Sequence, residues 1–132
     1  MKNAIEISKK EALARIAESK GLDELIKPLT KEVHLFDTFI AGTTYLKDKE
    51  VLTEIKEGDK LALRREGDNK FDDNAILVLT AEGKKVGYIP EMDNVIFARL
   101  MDAGKMLMAK VTGIKEKGSF TQIGIGIYLV DF

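Results

Sequence analysis

The sequence predicts a mainly β fold: a small barrel of about six short strands with one inserted helix and an N-terminal helical extension. Three observations lead there. From Val33 onward, apolar residues recur with a period of two, in runs bounded by Gly, Asp, Asn or Pro. In the last run Ile123, Ile125, Ile127 and Leu129 alternate with Gln122, Gly124, Gly126 and Tyr128, so one face is wholly aliphatic and the other nearly bare, which permits sharp coiling. At 132 residues and 45% hydrophobic content the chain supplies one core and not comfortably two, and short curved strands hide their edges by closing on themselves.

Residues 1–31 stand apart as an extension, and residues 32–132 form the barrel domain. In the extension, Ser8-Lys9-Lys10-Glu11 has the form of a capping box, with Ile7 and Ala12 placed as a hydrophobic staple and Gly21 as a stop. Ala12, Leu13, Ile16 and Ala17 share one face of that amphipathic helix, and Leu22, Leu25 and Ile26 add a turn before Pro28. Residues 33–41 then alternate, with Val33, Leu35, Asp37 and Phe39 facing one way and His34, Phe36, Thr38 and Ile40 the other, as a strand buried on both sides. A loop over residues 44–49 and a turn at Gly58-Asp59 lead into strands over 61–65, 75–80 and 86–89. Val95, Ile96, Ala98, Arg99, Leu100 and Met101 predict a helix capped by Asp93 or Asn94 and ended by Gly104. A strand over 106–114, a turn through 115–119 and a strand over 120–130 complete the chain.

Composition narrows the function. The chain has no Cys, which removes disulfides and thiolate zinc sites and suits the reducing cytoplasm. It carries neither a signal-peptide core nor a membrane span. Its 21 basic and 22 acidic side chains leave a net charge of −1, so affinity for a polyanion must come from a local arrangement of cations. Catalysis has little to work with: the one histidine, His34, lies inside an alternating strand, and there is no nucleophile elbow, P-loop or zinc-protease motif. No cofactor is implied. Asp68, Asn69, Asp72, Asp73 and Asn74 cluster in one loop, but Lys70 and Asp73 occupy positions where a calcium loop needs a ligand and a glycine. A metal-dependent nucleotide hydrolase built on Asp68, Asp72 and Asp73 is accordingly the weakest reading.

That loop, residues 66–74, is longer than a hairpin needs and sets Phe71 among polar side chains, as loops do that recognise ligands. The competing reading is an Asx-rich turn whose side chains satisfy its own backbone. Tyr45, Phe71, Tyr88 and Phe120 all fall in or beside loops, with Lys47, Arg64, Arg65, Lys70, Lys84 and Lys85 as neighbours. Aromatic platforms flanked by cations are how single strands are bound, each stacked base contributing roughly 1–3 kcal/mol.

The runs Phe39-Ile40-Ala41-Gly42-Thr43-Thr44-Tyr45, Asp68-Asn69-Lys70-Phe71-Asp72-Asp73-Asn74-Ala75-Ile76, Val86-Gly87-Tyr88-Ile89-Pro90 and Ala98-Arg99-Leu100, in this order, resemble the HIRAN domain. The resemblance implies an OB-like barrel with an inserted helix that binds single-stranded DNA and recognises a free 3′ end, in DNA repair or processing. It further implies that Phe71 stacks on the terminal base, that Asp72 accepts a hydrogen bond from the 3′ hydroxyl, that Asn69 and Tyr45 contact the adjacent phosphate, and that Phe120 is a second stacking surface. The nucleic-acid-binding set is thus Thr44, Tyr45, Lys47, Asn69, Phe71, Asp72, Tyr88 and Phe120. Thr44 stands where DNA-binding relatives carry Arg, Leu46 replaces a second Tyr, and Glu91 lies where a cation would help. The rival expectation is a protein-interaction domain that recruits a partner such as a helicase or nuclease through residues 1–31 and the barrel surface.

Overall fold

The structure, a computed structural model, describes residues 31–131; the helical extension expected before Pro28 lies outside the described residues. Strand β1 (Lys31–Phe39) leads through a 3-10 turn (Thr43–Tyr45) and a one-turn helix α1 (Val51–Glu54) to β2 (Lys60–Arg65), β3 (Ile76–Leu79) and β4 (Lys85–Tyr88). Helix α2 (Asn94–Asp102) precedes a long hairpin of β5 (Met106–Lys117) and β6 (Phe120–Asp131). The strands form one antiparallel sheet in the order β1-β6-β5-β2-β3-β4.

This sheet curls into an open half-barrel whose outermost strands touch at one bridge. The Ala41 amide donates to the Tyr88 carbonyl at 2.8 Å and the Tyr88 amide to the Ala41 carbonyl at 2.9 Å. The expected closure therefore exists at a single point, because β4 has only four residues of edge to offer. Gly87 is what allows it. A Cβ there would lie 2.4 Å from the Ala41 carbonyl oxygen and 2.6 Å from Ile40 Cγ2, so no other residue lets the two backbones approach so closely.

Alternation puts Ile123, Ile125 and Ile127 of β6 inside, against Ile76 and Val78, Leu61, and Leu107, Ala109 and Val111. α2 adds Phe97 and Ala98 to the same core. Each large aliphatic side chain withdrawn from water contributes about 1.5–3 kcal/mol, which offsets the ordering of so short a chain. Curvature comes from breaks in register within β1, β5 and the β3–β4 pair.

Several local expectations change. β1 is an edge strand and largely exposed, not buried on both faces. Its pairing jumps between His34 and Phe36, so a bulge at Leu35 turns Phe36 away from the His34 side and toward the Ile127 side, where its ring lies 5.7 Å from that of Phe97. Residues 115–117 belong to β5, and the chain reverses in two residues, Gly118-Ser119, with Gly118 at φ 59° as a tight hairpin demands. The one-turn α1 has too few residues to show a helical period. At α2, Asp93 occupies the N-cap position, yet its carboxylate accepts from Thr38 Oγ at 2.8 Å and ties the helix to β1 instead of capping it. The far end obeys expectation: Gly104 and Lys105 amides donate back to the Met101 and Leu100 carbonyls, the paired bonds of a glycine stop. Among the described residues no helix is long and apolar enough to cross a membrane.

Candidate nucleic-acid interface

Loop 66–74 folds on its own side chains. Its base closes with the Glu66 amide donating to the Ala75 carbonyl at 3.0 Å. Inside, Asn69 Oδ1 accepts from the amides of Phe71 and Asp72 at 2.8 and 3.0 Å, while Asn69 Nδ2 donates to Glu66 Oε1 at 2.8 Å. Asp72 Oδ1 takes the Asn74 amide at 2.8 Å, an Asx turn. The loop is then fastened to α2. Asn94 Nδ2 donates to Asp72 Oδ2 at 2.7 Å and Arg99 to Asn74 Oδ1 at 3.2 Å. Arg65 donates to the carbonyls of Ala75 and Asp73 and forms a two-pronged pair with Asp102 at 2.9 and 3.2 Å. That guanidinium is a clamp, so Arg65 is not available as a phosphate contact.

The Asx-rich reading of the loop is realised: its side chains satisfy its own backbone, and in doing so they hold Phe71 clear of the core. The ring is 95% exposed. Among the described residues the ring makes no packing contact that would account for its place at the head of a loop so fully hydrogen-bonded. Asp72 sits beside it, half-buried. Each of its oxygens already accepts one hydrogen bond and keeps a lone pair for another.

Tyr88 joins this loop to the rest. Pairing sets Arg64, Leu77 and Tyr88 in a row across β2, β3 and β4. The Tyr88 hydroxyl donates to Glu66 Oε1 at 2.7 Å, and Lys85 Nζ lies 4.7 Å over its ring. Glu66 is held below the ordinary carboxylate range, first by the Tyr88 hydroxyl, then by the Asn69 amide, with Lys85 and Arg64 nearby. On the other side of the Ala41 bridge, the Thr43–Tyr45 turn presents Tyr45, 89% exposed.

The expected residues do not share one cleft: six of them line three recesses, and Asp72 and Tyr88 line none of the three. Asn69 and Phe71 line one with Arg64, Glu66 and Lys70. Tyr45 and Lys47 line a second, of about 530 Å³, with Lys84 and Lys85. Thr44 and Phe120 line a third, of about 420 Å³, with Lys49 and Glu116. Phe120, at the tip of the β5–β6 hairpin, is 42% exposed. Tyr88 stitches the first two together, whereas Phe120 stands apart from Phe71.

Sequence reasoning missed Glu66 and Asn94. A lone Glu after a strand carries no motif, and the contact that defines it comes from Tyr88, far along the chain. Asn94, which the sequence offers with Asp93 as a candidate helix cap, is 1% exposed and donates to Asp72, with its own Oδ1 left without a partner among the described residues. His34 lies on the exposed edge strand, where its Nε2 pairs with Asp37 Oδ1 at 2.7 Å. Among the described residues no three His, Asp or Glu side chains converge to hold a metal ion, so Asp68, Asp72 and Asp73 do not form the cluster a metal-dependent hydrolase needs.

Comparison with known proteins agrees with this architecture. The family model described as HIRAN domain matches residues 33–130. A Lactobacillus plantarum protein, solved as a structural-genomics target, is similar at 30% identity with a TM-score of 0.72, over 78% of this chain and 99% of that one. The crystal structure of the HIRAN domain of human HLTF is similar in fold, with a TM-score of 0.60 at 18% identity, over 76% of this chain and 79% of that one. No curated protein matches. With residues 33–130 matched and the half-barrel, inserted helix and central loop all in place, this chain belongs to the HIRAN domain family.

Proposed function

We propose that the chain is a non-enzymatic nucleic-acid-binding module that grips the free 3′ end of single-stranded DNA, in DNA repair or processing. The observation that carries this reading is the Phe71–Asp72 pair: a fully presented ring next to a carboxylate with acceptor capacity to spare, both fixed by the same hydrogen-bonded loop. The ring supplies a stacking platform for the last base. The carboxylate accepts from a 3′ hydroxyl and repels a 3′ phosphate. Tyr45 and Tyr88 add aromatic surface, and Asn69 acts through the loop it organises. The activity requires no cofactor.

Fluorescence anisotropy tests it. A short oligonucleotide with a free 3′ hydroxyl should bind more tightly than its 3′-phosphorylated twin at low salt; equal binding, or none, removes end recognition. Phe71→Ala should weaken binding by about 1–3 kcal/mol while leaving the unfolding midpoint unchanged, since the ring rests on nothing.

A second reading has its own support. Phe36 on β1 and Val95 and Ile96 on α2 are exposed, and Phe36 touches Phe97, so strand and helix present apolar side chains on adjoining surfaces. With the amphipathic stripe expected in residues 1–31, this face would recruit a protein partner such as a helicase or nuclease.

A further inference from the structure

The recess beside Tyr45 has a composition that the gripping of one terminal nucleotide does not use. Its floor is apolar and fixed, made by Leu46 and Val51, both buried. Tyr45, Lys47, Lys84 and Lys85 line the rest of it, around about 530 Å³. Asp48 is the acid at its rim, and that carboxylate is already turned onto the Glu50 amide at 3.1 Å. Lys84 leans on Glu54 at 3.2 Å in an exposed pair of little energetic weight, whereas Lys47 and Lys85 make no ion pair among the described residues. A recess with a surplus of cations and one aromatic side chain is suited to a chain of phosphates.

A relay of contacts joins the trough to the Phe71 loop. Lys85 lies over Tyr88, Tyr88 donates to Glu66, Asn69 donates to Glu66, and Asn69 accepts from the Phe71 amide. A strand whose last base rests on Phe71 can pass along Tyr88 into the trough. Thr44, in the Thr43–Tyr45 turn, offers no charge to such a strand. Lys47 follows that turn directly, and Lys84 and Lys85 come from across the bridge, at the start of β4.

We infer that Lys47, Lys84 and Lys85 with Tyr45 form a second subsite, which takes the phosphodiester backbone on the 5′ side of the gripped nucleotide. This inference rests on the proposed function, and the test below separates their failures. Binding of 3′-hydroxyl oligonucleotides of increasing length to the full chain is measured across a salt series. Affinity should rise with length until the trough is filled. Single-strand binding loses about 0.7 of salt slope per phosphate contact removed, so Lys47→Ala/Lys85→Ala should lower the slope by about 1.4 and abolish the gain from length. Its preference for 3′ hydroxyl over 3′ phosphate should survive, and Lys47→Arg/Lys85→Arg should restore slope and length dependence. Lys56→Ala/Lys105→Ala, which removes the same charge elsewhere, should change neither. If the Lys47/Lys85 variant keeps the parent's slope and length dependence, the subsite is overturned while end recognition stands. A parent that gains with length but ignores the 3′ group would overturn end recognition and leave the subsite. No binding by the parent would overturn both.

Discussion

Glu66 shows how much of the site depends on a residue with no motif of its own. Its carboxylate receives the Tyr88 hydroxyl and the Asn69 amide, so strand β4 and the Phe71 loop meet on one oxygen, Oε1. These contacts hold its folded-state pKa below the ordinary value of 4.5. The folded protein therefore binds fewer protons than the unfolded chain in the window between those two values. Glu66 thus contributes stability that is present in full above the ordinary value and lost as pH falls through the depressed one. Glu66→Gln should flatten the acid side of the stability curve; urea midpoints of parent and variant between pH 6 and pH 3 check this, and parallel curves would contradict it. The neighbouring motif was easier to read. Asn and Asp at close spacing announce a self-satisfied turn, and Phe71 between them announces a presented ring. That Asn94 and Arg99 brace that turn from a helix, across separations of 22 and 25 residues, is not legible in the sequence, since such pairing is set by tertiary approach and not by local pattern.

At the level of elements, the long runs were legible and the short ones were not. β6 declares itself by strict alternation of isoleucine with small or polar residues, and α2 by its apolar spacing and glycine stop. β1 misled because a one-residue bulge at Leu35 inverts the facing of everything after it, which an alternating pattern cannot reveal. The glycine of the Val86-Gly87-Tyr88 run has a sharper meaning in three dimensions than in sequence. Gly87→Ala would drive a methyl into the Ala41 carbonyl, where backbone and not a flexible side chain must yield. The expected loss is at least 1–3 kcal/mol, as for overpacked interiors, accompanied by faster hydrogen exchange at the Ala41 and Tyr88 amides. Gly113→Ala is the control: a Cβ there meets nothing within 4 Å, and its unfolding midpoint should stay near that of the parent.

For the molecule as a whole, near-neutral charge already indicated that any grip on a polyanion would be local, and the cations do gather around Tyr45 and Tyr88. The barrel was legible as a fold class, but its degree of closure was not, because closure depends on how far β1 and β4 diverge. The described core draws on every strand from β2 to β6 and on α2. Removal of residues 1–30 should therefore leave cooperative unfolding and oligonucleotide binding in place, while capture of a helicase or nuclease partner in a pull-down is lost. Unfolding of the truncated chain would show that the extension completes the core. The lone Ala41–Tyr88 bridge has one more consequence. It stands between the Tyr45 turn and β4, which carry Tyr45 and Lys85 of the recess, so the spacing of these two groups depends on the same pair of amide bonds. A strand held in the proposed subsite should therefore slow hydrogen exchange at the Ala41 and Tyr88 amides without touching either.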